Sequence, residues 1–169
     1  IGGAAAGLGN LISGNLGNGI RLISSTGIVV TANHVGTSAN GSSALGNGGD
    51  GLSLEGSPNN LIGGSASGLG NLISANRGRG ILVLGPDADG NQLVGNTVGT
   101  DTAGASALGN GDFGISIENA SLTLIASNLT SANTTGGVQI LGAAATGNRI
   151  LGSMIGTDRA GRSALSNGL

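Results

Sequence analysis

One segment of the sequence carries the oxygen-bearing side chains of a calcium loop. Asp87, Asp89 and Asn91 stand at alternate positions of the segment GPDADGNQ, and calcium in proteins is held by carboxylate and amide oxygens. The segment lacks a distal bidentate glutamate, and PDADG is also a strong turn signal between two strands. Calcium bound by these three residues is one interpretation and a plain turn is the other; we expect no other cofactor.

Two sets of charged residues could act on a polysaccharide. Asp50 and Arg79 occupy equivalent positions of successive repeats, with Asp112 nearby in the next one, and the group resembles the arginine and carboxylate chemistry of polysaccharide lyases. Glu55 and Glu118 lie two turns apart, about 9 to 10 Å along the axis, close to the spacing of glycosidase carboxylates. Because a surface ion pair and repeat duplication explain both sets, we predict no catalytic residue and no enzyme.

The other reactive side chains are few. His34 is the only histidine, cysteine is absent, and no serine or aspartate is placed to form a triad with His34. Thr37, Thr100 and Thr157 could line one face as in ice-binding solenoids, but they recur only at every second turn. Ice binding is therefore a minor alternative.

These residues are carried by an internal repeat. The phrase GTSANGSSALGNG at residues 36–48 returns as GTDTAGASALGNG at 99–111 and as GTDRAGRSALSNG at 156–168. IGGAAAGLGNLIS at 1–13 likewise returns as IGGSASGLGNLIS at 62–74. We therefore predict one continuous domain, residues 1–169, made of two-turn units at about 1–61, 62–124 and 125–169, and part of a longer chain.

Within each unit, three sets of short apolar strands are separated by bends rich in glycine, asparagine and serine. The first set starts at Ile20, Leu52, Ile81, Ile115, Val138 and Leu169; the second is centred on Val30, Ile62, Leu93, Ile125 and Ile150; the third on Ile12, Val35, Ile73, Val98, Thr130 and Ile155. Glycine at 37 of 169 positions disfavours helix. The pattern predicts an all-β, right-handed parallel β-helix of about 5–6 turns, with three short strands per turn and essentially no α-helix.

Asparagines precede the third strand in most turns, and we predict that they stack as a structural ladder in which amides hydrogen-bond from turn to turn. Its members are Asn10, Asn33, Asn71, Asn96 and Asn128. We also expect the phrase after the third strand to add a loop on every second turn. These loops should line up as a ridge, and Leu108 should return the chain to the interior.

The segments NLISAN, NNLIGG and VGTDTAGASALGNGDFGISI resemble the right-handed, pectate-lyase-like β-helix repeats of large bacterial secreted and cell-surface proteins. The resemblance implies a structural, extracellular or cell-surface solenoid of bacterial type, such as a stalk, adhesin, sheath, surface-layer or filament component. Its expected partner is itself, end to end or laterally, or the neighbouring turns of a parent chain. A carbohydrate-binding or polysaccharide-cleaving β-helix, with a cell-surface polysaccharide as its partner, is the alternative.

Charge and hydropathy exclude two other classes of partner. The net charge is −2 and all six basic residues are scattered arginines, which is not typical of a nucleic-acid-binding protein. No apolar run is long enough to insert into a membrane.

Overall fold

The computed structural model describes residues 1–3 and 7–168, which coil into a right-handed parallel β-helix. Three short strands in each turn pair with their equivalents in the turns before and after. No described residue is helical, so this part of the chain has no helix long and apolar enough to cross a membrane. The predicted fold class and number of turns are confirmed, whereas the first-strand position at Leu169 lies outside the described residues.

Each of the three sheets collects one strand from every turn. The first sheet contains β2 (Ile20–Ile23), β5 (Leu52–Glu55), β8 (Ile81–Leu84), β11 (Phe113–Glu118) and β14 (Gly136–Leu141). The second contains β3 (Val29–Val30), β6 (Leu61–Gly63), β9 (Gln92–Val94), β12 (Leu124–Ala126) and β15 (Arg149–Leu151). The third contains β1 (Leu11–Ile12), β4 (His34–Val35), β7 (Leu72–Ile73), β10 (Thr97–Val98), β13 (Leu129–Thr130) and β16 (Met154–Ile155).

The strands pair in parallel without a shift of register, so equivalent residues of successive turns stack directly on one another. In the second sheet, for example, Ile62 pairs with Leu93 and Leu93 with Ile125. All three side chains are fully buried and belong to a single apolar cluster that fills the interior. The described strand centres that the sequence predicts lie in these inward columns, where each buried side chain contributes about 1.5–3 kcal/mol.

Leu108 does not belong to the interior, so that expectation is wrong. Its backbone N–H donates to the Gly99 carbonyl and its own carbonyl accepts from Ala75, which closes the loop before the chain reaches the next strand. The side chain is half-buried and outside the interior cluster, and the equivalent Leu45 is 50% exposed. An apolar residue beside a loop closure therefore resembles a strand residue in the sequence without being one.

In the turns that carry the GT phrase, the glycine that follows the third strand is required by its backbone conformation. Gly99 has a φ of +93°, a region that L-residues other than glycine rarely adopt. A Cβ at this residue would collide with the carbonyl oxygen of Ser131 in the next turn. Gly36 and Gly156 also have a positive φ, and a Cβ at Gly36 would collide with the carbonyl oxygen of Ser74. The backbone conformation therefore explains the recurrence of glycine at residues 36, 99 and 156.

Thr130 can test how much an unpaired polar group in the apolar interior lowers stability. It lies in an inward column where the flanking turns place Val98 and Ile155, and its Oγ1 is buried without a hydrogen-bond partner in the described chain. Because an unpaired buried hydroxyl is destabilising, we expect Thr130→Val to raise the free energy of unfolding by about 1 kcal/mol, measured by chemical denaturation.

Thr100→Val is the matched control. The Thr100 hydroxyl is also buried but donates to the Asp101 carbonyl, so the same substitution should lower the stability of the protein. If both variants lost the same amount of stability, the conclusion that the Thr130 hydroxyl is buried without a partner would be contradicted.

Candidate functional site

The predicted asparagine ladder is present at the corner that precedes the third sheet. Asn71, a typical member, donates from its backbone N–H (3.1 Å) and from its Nδ2 (2.9 Å) to the Oδ1 of Asn96 in the next turn. The same amide also donates to the carbonyl of Val30. The column runs through Asn10, Asn33, Asn71, Asn96 and Asn128 and ends on Ser153.

A second complete amide column stands at the corner that follows the third sheet, and sequence reasoning missed it. Its members are Asn15, Asn47, Asn76, Asn110, Asn133 and Asn167. These asparagines come alternately three and twelve residues after the inward residue of the third strand. The sequence signal was therefore available, but a nine-residue insertion in every second turn hides the common position.

A third, interrupted column precedes the second sheet and includes one of the predicted calcium ligands. Asn91 is fully buried, its Oδ1 accepts the backbone N–H of Asn60, and its Nδ2 donates to the carbonyls of Ser57 and Ala88. The side chain of Asn91 thus holds adjacent turns together. The column breaks at Thr123, whose Oγ1 is buried without a partner in the described chain.

The two aspartates of the predicted calcium loop differ in exposure and in hydrogen bonding. Asp87 is exposed, while the Oδ1 of Asp89 accepts the backbone N–H of Ser121 at 2.6 Å. Within residues 1–3 and 7–168, no group of three histidine, cysteine, aspartate or glutamate side chains is arranged to hold a metal ion. Calcium binding by this loop stays a prediction, and the hydrogen bonds of Asn91 and Asp89 account for two of the three side chains without it.

An ion pair joins the first two strands of the first sheet on the outer face. The Arg21 guanidinium donates to both carboxylate oxygens of Glu55, at 2.8 and 2.6 Å, and the hydroxyl of Ser53 donates to the same carboxylate. The hydrogen bond from Arg21, then the one from Ser53, lowers the pKa of Glu55 from 4.5 to about 2. Glu55 is therefore held as a carboxylate and is not suited to act as an acid.

Arg79 forms the second charged group on the same face, with partners that differ from the predicted one. Asp50 and Arg79 are stacked as expected, but the Asp50 carboxylate accepts the backbone N–H of Arg79. The guanidinium instead meets Glu118 at 2.8 Å and Asp112 at 3.7 Å. The prediction of an Asp50–Arg79 ion pair is therefore wrong, because the side chain of Arg79 extends towards the next turn and binds carboxylates there. Burial raises the pKa of Asp50 despite this hydrogen bond.

Glu55 and Glu118 lie two turns apart, as predicted, with Leu84 at the equivalent position of the turn between them. Each carboxylate is bound to a different arginine and to the serine two residues before it, Ser53 or Ser116. The serine contact is the same at both positions, as repeat duplication produces, whereas Arg21 binds Glu55 through two hydrogen bonds and Arg79 is shared between Glu118 and Asp112. In a glycosidase the two carboxyl groups flank the scissile bond of the sugar, whereas each of these two is engaged by an arginine and a serine of the protein.

The loops after the third strand do line up as a ridge on one side of the solenoid. We call residues 37–44, 100–107 and 157–164 the ridge loops; an antiparallel bridge between threonine and alanine closes each of them. Thr102 donates its N–H to the Gly41 carbonyl at 3.1 Å, and Arg159 donates to Gly104 at 2.9 Å. The ridge is therefore continuous even though it skips every second turn.

Side chains within the ridge loops mainly fold the loops themselves. Burial acts to raise the pKa of Asp101, but the backbone N–H groups of Ala105 and Ser106 outweigh it and the pKa is lowered. The bridge threonines donate their hydroxyls to the following carbonyl, and Thr37 and Thr100 are fully buried. The ridge thus lacks the exposed threonine array that ice binding would need.

Stacked parallel sheets with inward apolar columns and amide columns at the corners define a pectate-lyase-like, right-handed parallel β-helix. The family model described as Periplasmic copper-binding protein (NosD) matches residues 41–153, about two thirds of the chain, and the chain belongs to this family. Comparisons with curated proteins and with solved structures found no match. The periplasmic description of the family agrees, at a coarse level, with the predicted placement outside the cytoplasm.

The residues of this chain do not fit copper. Copper is bound in proteins by imidazole and by cysteine or methionine sulfur, and the sequence has one histidine, one methionine and no cysteine. His34 and Met154 share an outward column of the third sheet but are four turns apart, about 19 Å along the axis. They cannot bind one ion together, so copper enters no step proposed for this segment.

Removing one ladder amide tests the structural role of the first column. We expect Asn96→Ala to lower the free energy of unfolding by about 3 kcal/mol or more, because two donors of Asn71 and the carbonyl of Ile62 lose their partner. Chemical denaturation measures the change. Gln92→Ala, which removes an exposed amide, is the control, and a similar loss in that variant would argue against a role for the column.

The Arg21–Glu55 pair predicts a pH dependence of stability. The folded-state pKa of Glu55, about 2, lies below its usual 4.5, so the stabilisation is complete above about pH 4.5 and is lost as the pH falls towards 2. We expect the melting temperature of Glu55→Gln to fall less steeply than that of the wild type over this interval. Arg21→Gln should reproduce this flatter profile, and the double variant should add nothing to it; independent effects would contradict the pairing.

Proposed function

We propose that this chain is a structural, non-enzymatic segment of a bacterial β-solenoid that works outside the cytoplasm, as a stiff rod that extends by adding a second copy end to end. The observation that carries the proposal is the match between the two end turns. The inward columns of the second and third sheets, the second amide column and the alternation of ridge loops would each continue in register across a junction between copies.

The interior columns support this arrangement. The inward side chains Ile150 and Ile155 of the last turn are 41% and 42% exposed. When β1 of a second copy stacks on β16, Ile155 meets Ile12, and Ile150 meets Ile1, which lies one turn before Val30 in the second sheet. All four side chains are isoleucine. Covering these columns would bury apolar surface at about 25 cal/mol per Å².

The amide columns supply matching donors and acceptors. Throughout the second column, each asparagine donates its N–H and its Nδ2–H to the Oδ1 of the next one. Asn167 ends this column at one end of the described chain, and Asn15 begins it at the other. Donation from Asn167 to Asn15 of a second copy would repeat the geometry of the five internal steps.

The ridge supplies the register. Ridge loops follow the third strands β4, β10 and β16, so a second copy placed after β16 would add β1, which has no ridge loop, and then β4, which has one. The two-turn alternation therefore continues across the junction. Ala39 of the second copy would occupy the place beside Gly161 that Thr102 occupies beside Gly41.

Gly161 provides a substitution that acts on this junction alone. A Cβ at Gly41 would approach the Cβ of Thr102 to 2.9 Å, and one at Gly104 would approach that of Arg159 to 2.9 Å. At Gly161 nothing lies within 4 Å. We expect Gly161→Asn to weaken association at least ten-fold in sedimentation velocity, while the melting temperature of the monomer changes little because asparagine tolerates a positive φ.

Gly68→Asn is the matched control, because Gly68 also has a positive φ and nothing within 4 Å of its Cβ position, but lies in a middle turn. This variant should associate like the wild type. A wild-type chain that stays monomeric at the highest concentration, or a Gly161→Asn variant that associates equally well, would contradict the proposed axial contact.

A further inference from the structure

Asparagine followed by glycine is the dipeptide in which an amide side chain most readily reacts with its own backbone. Glycine has no Cβ to hinder the approach of its backbone nitrogen to the Cγ of the asparagine. The chain has five such dipeptides, which begin at Asn18, Asn40, Asn47, Asn110 and Asn167. Their surroundings differ, so the structure decides which of them can react.

Four of these asparagines have their side chains tied to other turns. Asn47, Asn110 and Asn167 belong to the second amide column, where each Nδ2 donates to a backbone carbonyl and each Oδ1 accepts from the preceding asparagine of the column. Asn18 is half-buried, and its Oδ1 accepts the backbone N–H of Asp50 in the next turn. Reaction at any of the four would have to break contacts between turns.

Asn40 lies exposed on the first ridge loop, and its side chain contacts only that loop. Its Oδ1 accepts the hydroxyls of Ser38 and Ser42, at 2.7 and 2.8 Å, and the backbone N–H of Ser42 at 3.2 Å. Because a backbone N–H can only donate, this last bond fixes which side-chain atom is the oxygen. Within the described chain the Nδ2 donates no hydrogen bond, so it is free to leave.

The bond from the Ser42 N–H folds the side chain of Asn40 back over the peptide that follows it. A link from a side-chain oxygen to the backbone two residues on is an Asx turn, and the ring of atoms that it closes contains the nitrogen of Gly41. The N–H of Gly41 donates to the Ser38 carbonyl at 2.9 Å, and this is the bond that must open before the nitrogen can attack. The three donors on the Oδ1 are placed to stabilise the negative charge that this oxygen gains during attack on Cγ.

We propose that Asn40 is a self-modification site, at which the chain converts its own amide to an acid with water as the only co-reactant. The Gly41 nitrogen gives up its proton and bonds to the Cγ of Asn40. The Cγ–Nδ2 bond breaks, and the departing NH₂ group takes up a proton and leaves as ammonia. Water then adds to either carbonyl of the resulting succinimide, the ring C–N bond at that carbonyl breaks, and the nitrogen regains its proton. The products are aspartate and isoaspartate, and nothing is oxidised or reduced.

The loop is suited to the acid that forms. The donors from Ser38 and Ser42 would bind a carboxylate oxygen as they bind the amide oxygen. The other two ridge loops already hold a carboxylate in this way, because Asp101 and Asp158 each accept a backbone N–H of their own loop. Reaction at Asn40 therefore gives the first ridge loop the negative charge that the other two carry.

Peptide mapping by mass spectrometry, after incubation of the folded wild type at mildly alkaline pH, tests the site. We expect exchange of NH₂ for OH at Asn40 to be about ten-fold or more faster than at the other four asparagines, because each of those must first give up hydrogen bonds to other turns. Both aspartate and isoaspartate should form. Asn40→Ala, which places there the residue found at Ala103 and Ala160 of the other ridge loops, should abolish this product.

Ser42→Ala tests the activation of the Asn40 carbonyl. It removes one hydroxyl donor and keeps the backbone N–H, and the second ridge loop already has alanine at this position, Ala105. We expect the reaction at Asn40 to slow by about three-fold. Ser43→Ala, which removes a neighbouring hydroxyl that does not bond to Asn40, is the control and should react like the wild type.

Three results would each overturn the proposal: aspartate without isoaspartate, which is the outcome of direct hydrolysis; reaction at another asparagine as fast as at Asn40; or an unchanged rate in Ser42→Ala. Because the reaction takes place within one chain, its rate should not depend on protein concentration. Its outcome is therefore independent of the axial association tested with Gly161→Asn.

Discussion

In-register parallel pairing between successive turns is the constraint on which the structure depends. Because each strand bonds to its equivalent at a spacing of about 4.8 Å, every residue sits directly on the equivalent residue of the turn before. A buried column is therefore most stable when it keeps one kind of chemistry along its length. An apolar column excludes water, as the stack of Ile62, Leu93 and Ile125 does, and an amide column satisfies its own donors and acceptors.

The corners show why the amides are asparagine. A bend takes backbone groups away from the sheets, and a buried backbone N–H or carbonyl without a partner is costly. In both complete columns, each internal asparagine bonds to the next turn, and most also bond to a carbonyl of an earlier turn, as Asn96 does to Ile62. Thr123 and Thr130, two of the three buried polar atoms without partners, both belong to the turn formed by β11, β12 and β13. That turn is the least satisfied part of the described solenoid.

Features that repeat one residue type along a column can be predicted from the sequence. The contacts of side chains that extend out of their column cannot. Strand centres and the first asparagine ladder could be predicted, because each position repeats one residue type at a recognisable place. The second ladder was hidden by the alternating distance from Val98 to Asn110 and from Ile73 to Asn76. The partner of Arg79 could not be predicted from stacking alone, because a long side chain can reach the next turn, and here it extends to Glu118.

The width of a ridge loop explains why the sequence repeats every two turns. A loop closed by an antiparallel bridge, such as that between Thr100 and Ala107, is two chains wide, or about 9.6 Å at ordinary strand spacing. Two turns of the solenoid have the same height. Ridge loops on every turn would therefore collide, whereas loops on alternate turns meet edge to edge and hydrogen-bond, as Thr102 does with Gly41. The turns between them stay bare on that side, and this leaves open space beside Leu72 and Leu129.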